Sequence, residues 1–129
     1  MIIGTGIDIV EINRLEDIIK RYDLHFIKKI FTKSEIAYCQ NKAKPSQHFA
    51  GRFAVKEAVL KVLGVGMGKG IRWKDIEINI DSHYGIPRVK LYNKAKERAK
   101  SMGIDNIHIS ISHTDNLAIA QAIGEEITV

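Results

Sequence analysis

Four charged residues sit inside one apolar helical run, GRFAVKEAVLK from Gly51 to Lys61: Arg52, Lys56, Glu57 and Lys61. At about 100° per residue, Phe53, Glu57 and Lys61 share a sector roughly 80° wide, and Arg52 and Lys56 lie on the other side of Phe53 and Leu60. Ala54, Val55, Ala58, Val59, Val62 and Leu63 fill the remainder, so no purely polar face is left for solvent. A buried charge without a partner costs several kcal/mol, so Glu57 needs a cation and the basic residues need an anion. Internal pairing meets half of that need. Glu57 and Lys61 stand in the favourable i,i+4 order, worth about 0.2–0.5 kcal/mol on a surface, whereas Arg52 and Lys56 repel at the same spacing. The alternative is a ligand site in which a metal meets Glu57 and a phosphate meets the cations.

Other segments bear on that choice. Asp8 is an acid in an otherwise apolar strand, placed just after the Gly-Thr-Gly of residues 4–6, whose glycines allow close backbone approach. A strand-end acid capping the next helix is the plain reading of Asp8. Together with Glu57, however, it makes the small carboxylate set that magnesium prefers, since that ion keeps several waters and takes other ligands from substrate phosphates. The glycine-rich stretch GVGMGKG, Gly64 to Gly70, follows the helix directly, and its amides can line a phosphate, although it has neither the Walker nor the dinucleotide pattern. SISHTD closes a late strand with Ser110, Ser112 and His113 near a turn, where side chains reach ligands. Ser112, His113 and Asp115 are too close in sequence for a hydrolase relay, and Cys39 reads as a core thiol.

The elements that must position these residues are legible from periodicity. Ile2–Val10 is a β-branched strand, and Ile12, Leu15, Ile19 and Tyr22 form the apolar stripe of a helix over Glu11–Tyr22 with a basic outer side. Leu24–Ile30 adds a short helical segment. Thr32 and Glu35 have capping-box spacing for a helix to about Gln40, and Ser46 is placed to cap the long helix that ends at Leu63 before Gly64. DIEINID and IPRVKLY around SHYG predict an antiparallel hairpin, Asn93–Met102 a basic helix stopped by Gly103, and NIHISIS and LAIAQAI two strands joined at HTDN. The expected fold class is α+β, an antiparallel sheet packed against a long central helix in one domain spanning 1–129.

Composition bounds the function. A chain of 129 residues, 45% apolar and 27% charged, can bury its own core, and a net charge of +5 with pI near 9.4 calls for a negatively charged partner. One cysteine suits a reducing interior, the N-terminus lacks a basic leader, and no apolar run reaches the roughly 20 residues of a spanning helix, so a cytoplasmic protein is expected.

Taken together, GIDIVEI near the start, the spaced Lys56-Glu57-Ala58 and Lys61 of FAVKEAVLK, GIPRVKLY and SISH resemble the holo-acyl-carrier-protein synthases, the short class of phosphopantetheinyl transferases. The resemblance runs nearly end to end, with Phe53 where some relatives carry tryptophan. It implies the 4′-phosphopantetheinyl transferase fold, a role in fatty-acid and lipid biosynthesis, and magnesium-dependent transfer of phosphopantetheine from coenzyme A to a serine of apo acyl carrier protein, releasing adenosine 3′,5′-bisphosphate. It implies Asp8 and Glu57 as metal ligands, with Lys61 beside the phosphates and Asp8, Glu57 and Lys61 as the catalytic set. For coenzyme A contacts it implies Arg52, Lys61, Gly64, Gly66, Ser112 and His113, the last two near the 3′-phosphate. Glu57, Lys61 or a water on the metal could accept the serine proton. A homotrimer with sites between neighbouring subunits is also implied, for which a helix apolar on all sides would suit an interface. Carrier protein is acidic, so Arg14, Arg21 and Lys28 are the expected docking residues, supported by Lys20 and Lys29. Two rival readings are a basic nucleic-acid-binding module, disfavoured by the scarcity of aromatics, and a noncatalytic nucleotide-binding subunit.

Overall fold

The computed structural model describes residues 1–66 and 70–127. In chain order the elements are β1 (Ile2–Glu11), α1 (Ile12–Tyr22), α2 (Leu24–Ile30), α3 (Lys33–Gln40), α4 (Pro45–Leu63), a 3-10 turn (Trp73–Asp75), β2 (Ile76–Ile80), β3 (Pro87–Leu91), α5 (Asn93–Ser101), β4 (Asn106–His113) and β5 (Leu117–Glu125). β1, β5 and β4 form an antiparallel sheet with β5 in the centre, and β2 and β3 pair as a separate antiparallel hairpin. The expected α+β architecture, a sheet against one long helix, is the one found.

Local chemistry accounts for most helix boundaries. Thr32 and Glu35 close the capping box that their spacing predicts: the Thr32 hydroxyl accepts from the Glu35 amide, and the Glu35 carboxylate accepts from the Thr32 amide. α4 stops at Gly64, whose φ of 66° is the left-handed conformation that glycine adopts without strain. Its start differs from expectation. Ser46 does not cap it; the N-cap is Lys44, because Pro45, with its fixed φ and missing N–H, occupies the first helical position. Tyr22, assigned to the apolar stripe of α1, is instead exposed, while Ile12 and Leu15 carry the buried contact.

α4 lies across one face of the three-stranded sheet. That face is built from small side chains, Ala118, Ala120, Ala122 and Gly124 on β5 and Gly4 and Gly6 on β1, so the helix backbone can come very close. A Cβ placed on Gly6 would fall 1.9 Å from the Ala58 carbonyl oxygen, and one on Gly4 would fall 3.0 Å from that of Val62. The strand therefore runs antiparallel to the helix. Two strand residues advance about 6.6 Å and four helical residues about 6 Å, so the next inward position, Asp8, reaches the turn that carries Ala54 and Glu57. The glycines at 4 and 6 are what place this carboxylate against the helix.

Twelve residues of α4 are buried, including Ala54, Val55, Ala58, Val59 and Leu63, by the sheet on one side and by α1, α3 and the hairpin on others. The apolar surround of α4 is thus the chain's own core rather than a free interface. Exposed apolar area lies on the opposite face of the sheet, where Ile7, Ile9 and Leu117 face outward.

Candidate functional site

Past its first turns, α4 opens to solvent along the strip of Phe53, Glu57 and Lys61. Lys61 Nζ donates to the Ile7 carbonyl at 2.7 Å and to Asp8 Oδ1 at 3.4 Å, tying the helix to β1. Burial pushes the Glu57 carboxyl above its ordinary pKa, the negative charge of Asp8 pushes it further, and Lys61 partly offsets the two. The two acids predicted to act together are therefore brought into one field. Two neighbouring carboxylates, half-buried beside a single lysine, suit a divalent cation, which would relieve their repulsion. Glu57, Lys61, Gly64 and Gly66, with Leu60 and Val65, line a cavity of about 340 Å³. Residues 67–69 of the glycine-rich stretch lie outside the described residues.

Lys56, one residue before Glu57, belongs to a different system. Its side chain is fully buried, and Nζ donates to Glu35 Oε1 at 2.9 Å and to the carbonyls of Trp73 and Ile76. Glu35 Oε2 in turn accepts from the Ile78 amide at 3.0 Å. Burial lowers the Lys56 pKa while the Glu35 carboxylate raises it. The anion that sequence reasoning sought for Lys56 is thus a protein carboxylate, and Lys56 is not open to a phosphate. Glu35 had been accounted for by its cap alone, and nothing in the spacing linked it to a lysine 21 residues away.

Arg52 is also buried, but among the described residues its charge has no carboxylate partner. Its guanidinium stacks on the Tyr38 ring at 4.2 Å, one nitrogen donates to the His48 carbonyl at 3.4 Å, and Nε has no partner. Lys42 lies over the same ring at 4.4 Å, and His48 meets its edge at 6.0 Å. His113, at the exposed end of β4, is close enough to contribute to the lowering of the His48 pKa, which burial dominates and Arg52 and Lys42 reinforce. Ser112 is exposed beside it on the outer face of the sheet. Of the residues that sequence reasoning named, Arg52 and His113 fall here while Ser112 faces the other side of the sheet; Tyr38, Lys42 and His48 were missed, and the signal available was the i,i+4 spacing of His48 and Arg52.

The expected site residues thus fall into two groups on one chain. Arg52 and Glu57 are five positions apart on α4, about 7.5 Å along the axis and about 140° around it, and His48 lies nine positions, about 13 Å, before Glu57. The residues expected to dock carrier protein are elsewhere again. Arg14 and Arg21 are exposed and, two turns apart, share one side of α1; Lys28 and Lys29 are exposed on α2, and Lys20 pairs with Glu16 at 3.1 Å. A larger cavity of about 730 Å³, bounded by β3, α5 and β4, contains none of the expected site residues. Cys39 is a buried thiol, pushed up to about 11 chiefly by burial, as expected of a core residue. Among the described residues no helix is long and apolar enough to cross a membrane.

Residues 4–122 match the family model of the 4′-phosphopantetheinyl transferase superfamily. A holo-[acyl-carrier-protein] synthase of Syntrophus aciditrophicus is 48% identical over 125 residues, 97% of each chain. Among solved structures, the holo-ACP-synthase of Plasmodium yoelii superposes with a TM-score of 0.84 at 37% identity, covering 99% of this chain and 98% of that one. The Helicobacter pylori holo-[acyl-carrier-protein] synthase, solved in complex with coenzyme A, gives 0.81 at 38% identity, covering 94% of this chain and 99% of that one. Fold, motifs and full-length similarity agree: this chain belongs to the 4′-phosphopantetheinyl transferase superfamily, as an enzyme of its holo-[acyl-carrier-protein] synthase branch.

Proposed function

We propose that this enzyme moves the 4′-phosphopantetheine arm of coenzyme A onto a serine hydroxyl of apo acyl carrier protein, with magnesium, and releases adenosine 3′,5′-bisphosphate. The observation that carries this reading is the convergence of Asp8 with Glu57 and Lys61, the latter two lining a cavity edged by Gly64 and Gly66. Asp8 and Glu57 would hold the ion, which when bound supplies positive charge to the diphosphate. Lys61, held by the Ile7 carbonyl, presents its ammonium where charge builds on the bridging and leaving oxygens, the stage at which fixed charge is most effective. Gly64 and Gly66 offer backbone without side-chain obstruction.

Arg52, Ser112 and His113 form the second coenzyme A contact, where Arg52 and the neighbouring Lys42 supply positive charge suited to a phosphate remote from the reacting phosphorus. Its separation from Glu57 along α4, together with the uncovered Ile7, Ile9 and Leu117, favours a homotrimer in which neighbouring subunits complete one another's sites. Arg14, Arg21 and Lys28 receive the acidic carrier protein, and the working compartment is the cytoplasm. The test is mass spectrometry of an apo carrier protein incubated with coenzyme A, magnesium and this enzyme. A gain of one phosphopantetheine arm is expected; an unchanged mass with a carrier that another synthase can load overturns the reading.

A further inference from the structure

The cluster of side chains around Tyr38 contains more than a fixed positive charge. From α4 come Arg52, buried to 3% exposure with Nε unpartnered, and His48, half-buried one turn earlier. The segment after α3 contributes Lys42, α3 contributes the neutral faces of Tyr38 and Cys39, and β4 contributes His113. Among the described residues Arg52, Lys42, His48 and His113 form no ion pair with a carboxylate; the nearby Glu35 is committed to Lys56. A buried guanidinium left one donor short, stacked on an aromatic ring beside Lys42 and without a carboxylate of its own, is built to be completed by an anion with several acceptor oxygens. His48 is the one group in the first turn of α4 whose charge can follow the anion. Burial lowers its pKa; Arg52, Lys42 and His113 lower it further, and the charge of a bound dianion opposes the field of those three.

We propose that His48 is a proton-coupled anchor for a phosphomonoester: with Lys42, Arg52 and His113 it forms the site, and it takes up a proton as the dianion binds. The proposal rests on the coenzyme A reading above, in which the 3′-phosphate is the phosphomonoester. Its consequence is that the preference for coenzyme A over 3′-dephospho-coenzyme A widens as pH falls from 8 toward 6.5.

The test is isothermal titration of the magnesium-supplemented enzyme with coenzyme A and with 3′-dephospho-coenzyme A, at pH 6.5 and 8, in buffers of different ionisation enthalpy. Wild type should take up protons with coenzyme A at pH 6.5 and not with the dephospho form. In His48→Gln that uptake should fall or turn into release, since a phosphomonoester with a second pKa of about 6 sheds its own proton in a cationic site. The variant should lose about tenfold in coenzyme A affinity at pH 6.5 and less at pH 8. His48→Asn, with its melting temperature measured alongside, separates this from misfolding. Undiminished uptake in His48→Gln, uptake that disappears only in His113→Gln, or equal uptake with the dephospho form overturns the proposal alone. Failure of wild type to bind coenzyme A at all overturns the coenzyme A reading and the proposal with it.

Discussion

Lys56 and Glu57 are neighbours in sequence and opposites in circumstance. Lys56 points into the core, where Glu35 and the carbonyls of Trp73 and Ile76 meet each of its protons. Glu57 points to the edge of a cavity, where a second acid raises its pKa and a single lysine partly compensates. The first charge is satisfied by the protein and organises it, joining α4 to α3 and to β2. The second is left incompletely satisfied, and that residue of unfavourable energy is the physical mark of a place meant for something the chain does not carry. Burial alone would have ranked Lys56 as the more suggestive of the two; the accounting of partners ranks them the other way.

The contrast predicts unequal responses to substitution. Lys56→Met should be the most damaging to the fold, about 3–5 kcal/mol, because it strands the Glu35 carboxylate in the core. Adding Glu35→Leu should recover part of that loss and not all, since the amides of Thr32 and Ile78 then lose their acceptor. Urea melts of the two variants check this, and equal stability of Lys56→Met and wild type would dissolve the distinction between the two charges.

Gly6→Ala should come next, at about 1–3 kcal/mol, because the added methyl meets the backbone of Ala58 and β1 must lift from α4. Asp8 moves with the strand, so transfer activity should fall further than the melt alone explains. A variant as stable and active as wild type would mean that the glycines do not set the position of Asp8. Arg14→Glu, on exposed α1, should leave both charged systems intact. It should raise the KM for carrier protein about tenfold with little effect on that for coenzyme A, and steady-state kinetics with each substrate varied will reveal an equal rise in both if α1 is not the docking surface.

These differences also mark how far the sequence could be read. The alternation of Ile107, Ile109 and Ile111, the capping pair Thr32 and Glu35, and the stops at Gly64 and Gly103 depend on local spacing, so the elements were recoverable with small errors such as the start of α4. Asp8 and Glu57 were named as a pair from residue type and family resemblance; that Gly4 and Gly6 bring them together needs the register of β1 on α4. The partnership of Lys56 with Glu35, 21 residues away, and the approach of Lys42 and His113 to the group around Arg52 depend on tertiary packing and leave no periodic trace; only His48, at i,i+4 from Arg52, was within reach of spacing.

The most direct measurement joins stability and transfer in one variant. Glu57→Gln retains volume and removes a charge whose pKa is raised in the folded state. A carboxylate so raised stabilises the fold less as pH climbs from the unfolded value of about 4.3 through the folded one, so at pH 7 the variant should melt higher than wild type, with the gap closing below about pH 4. In the same sample, the loading of apo carrier protein with magnesium and coenzyme A, followed by mass, should fall by roughly 10²–10³-fold. Loading at the wild-type rate by the folded variant would contradict the assignment of Glu57, and with it the view that its unsatisfied charge marks the reacting centre.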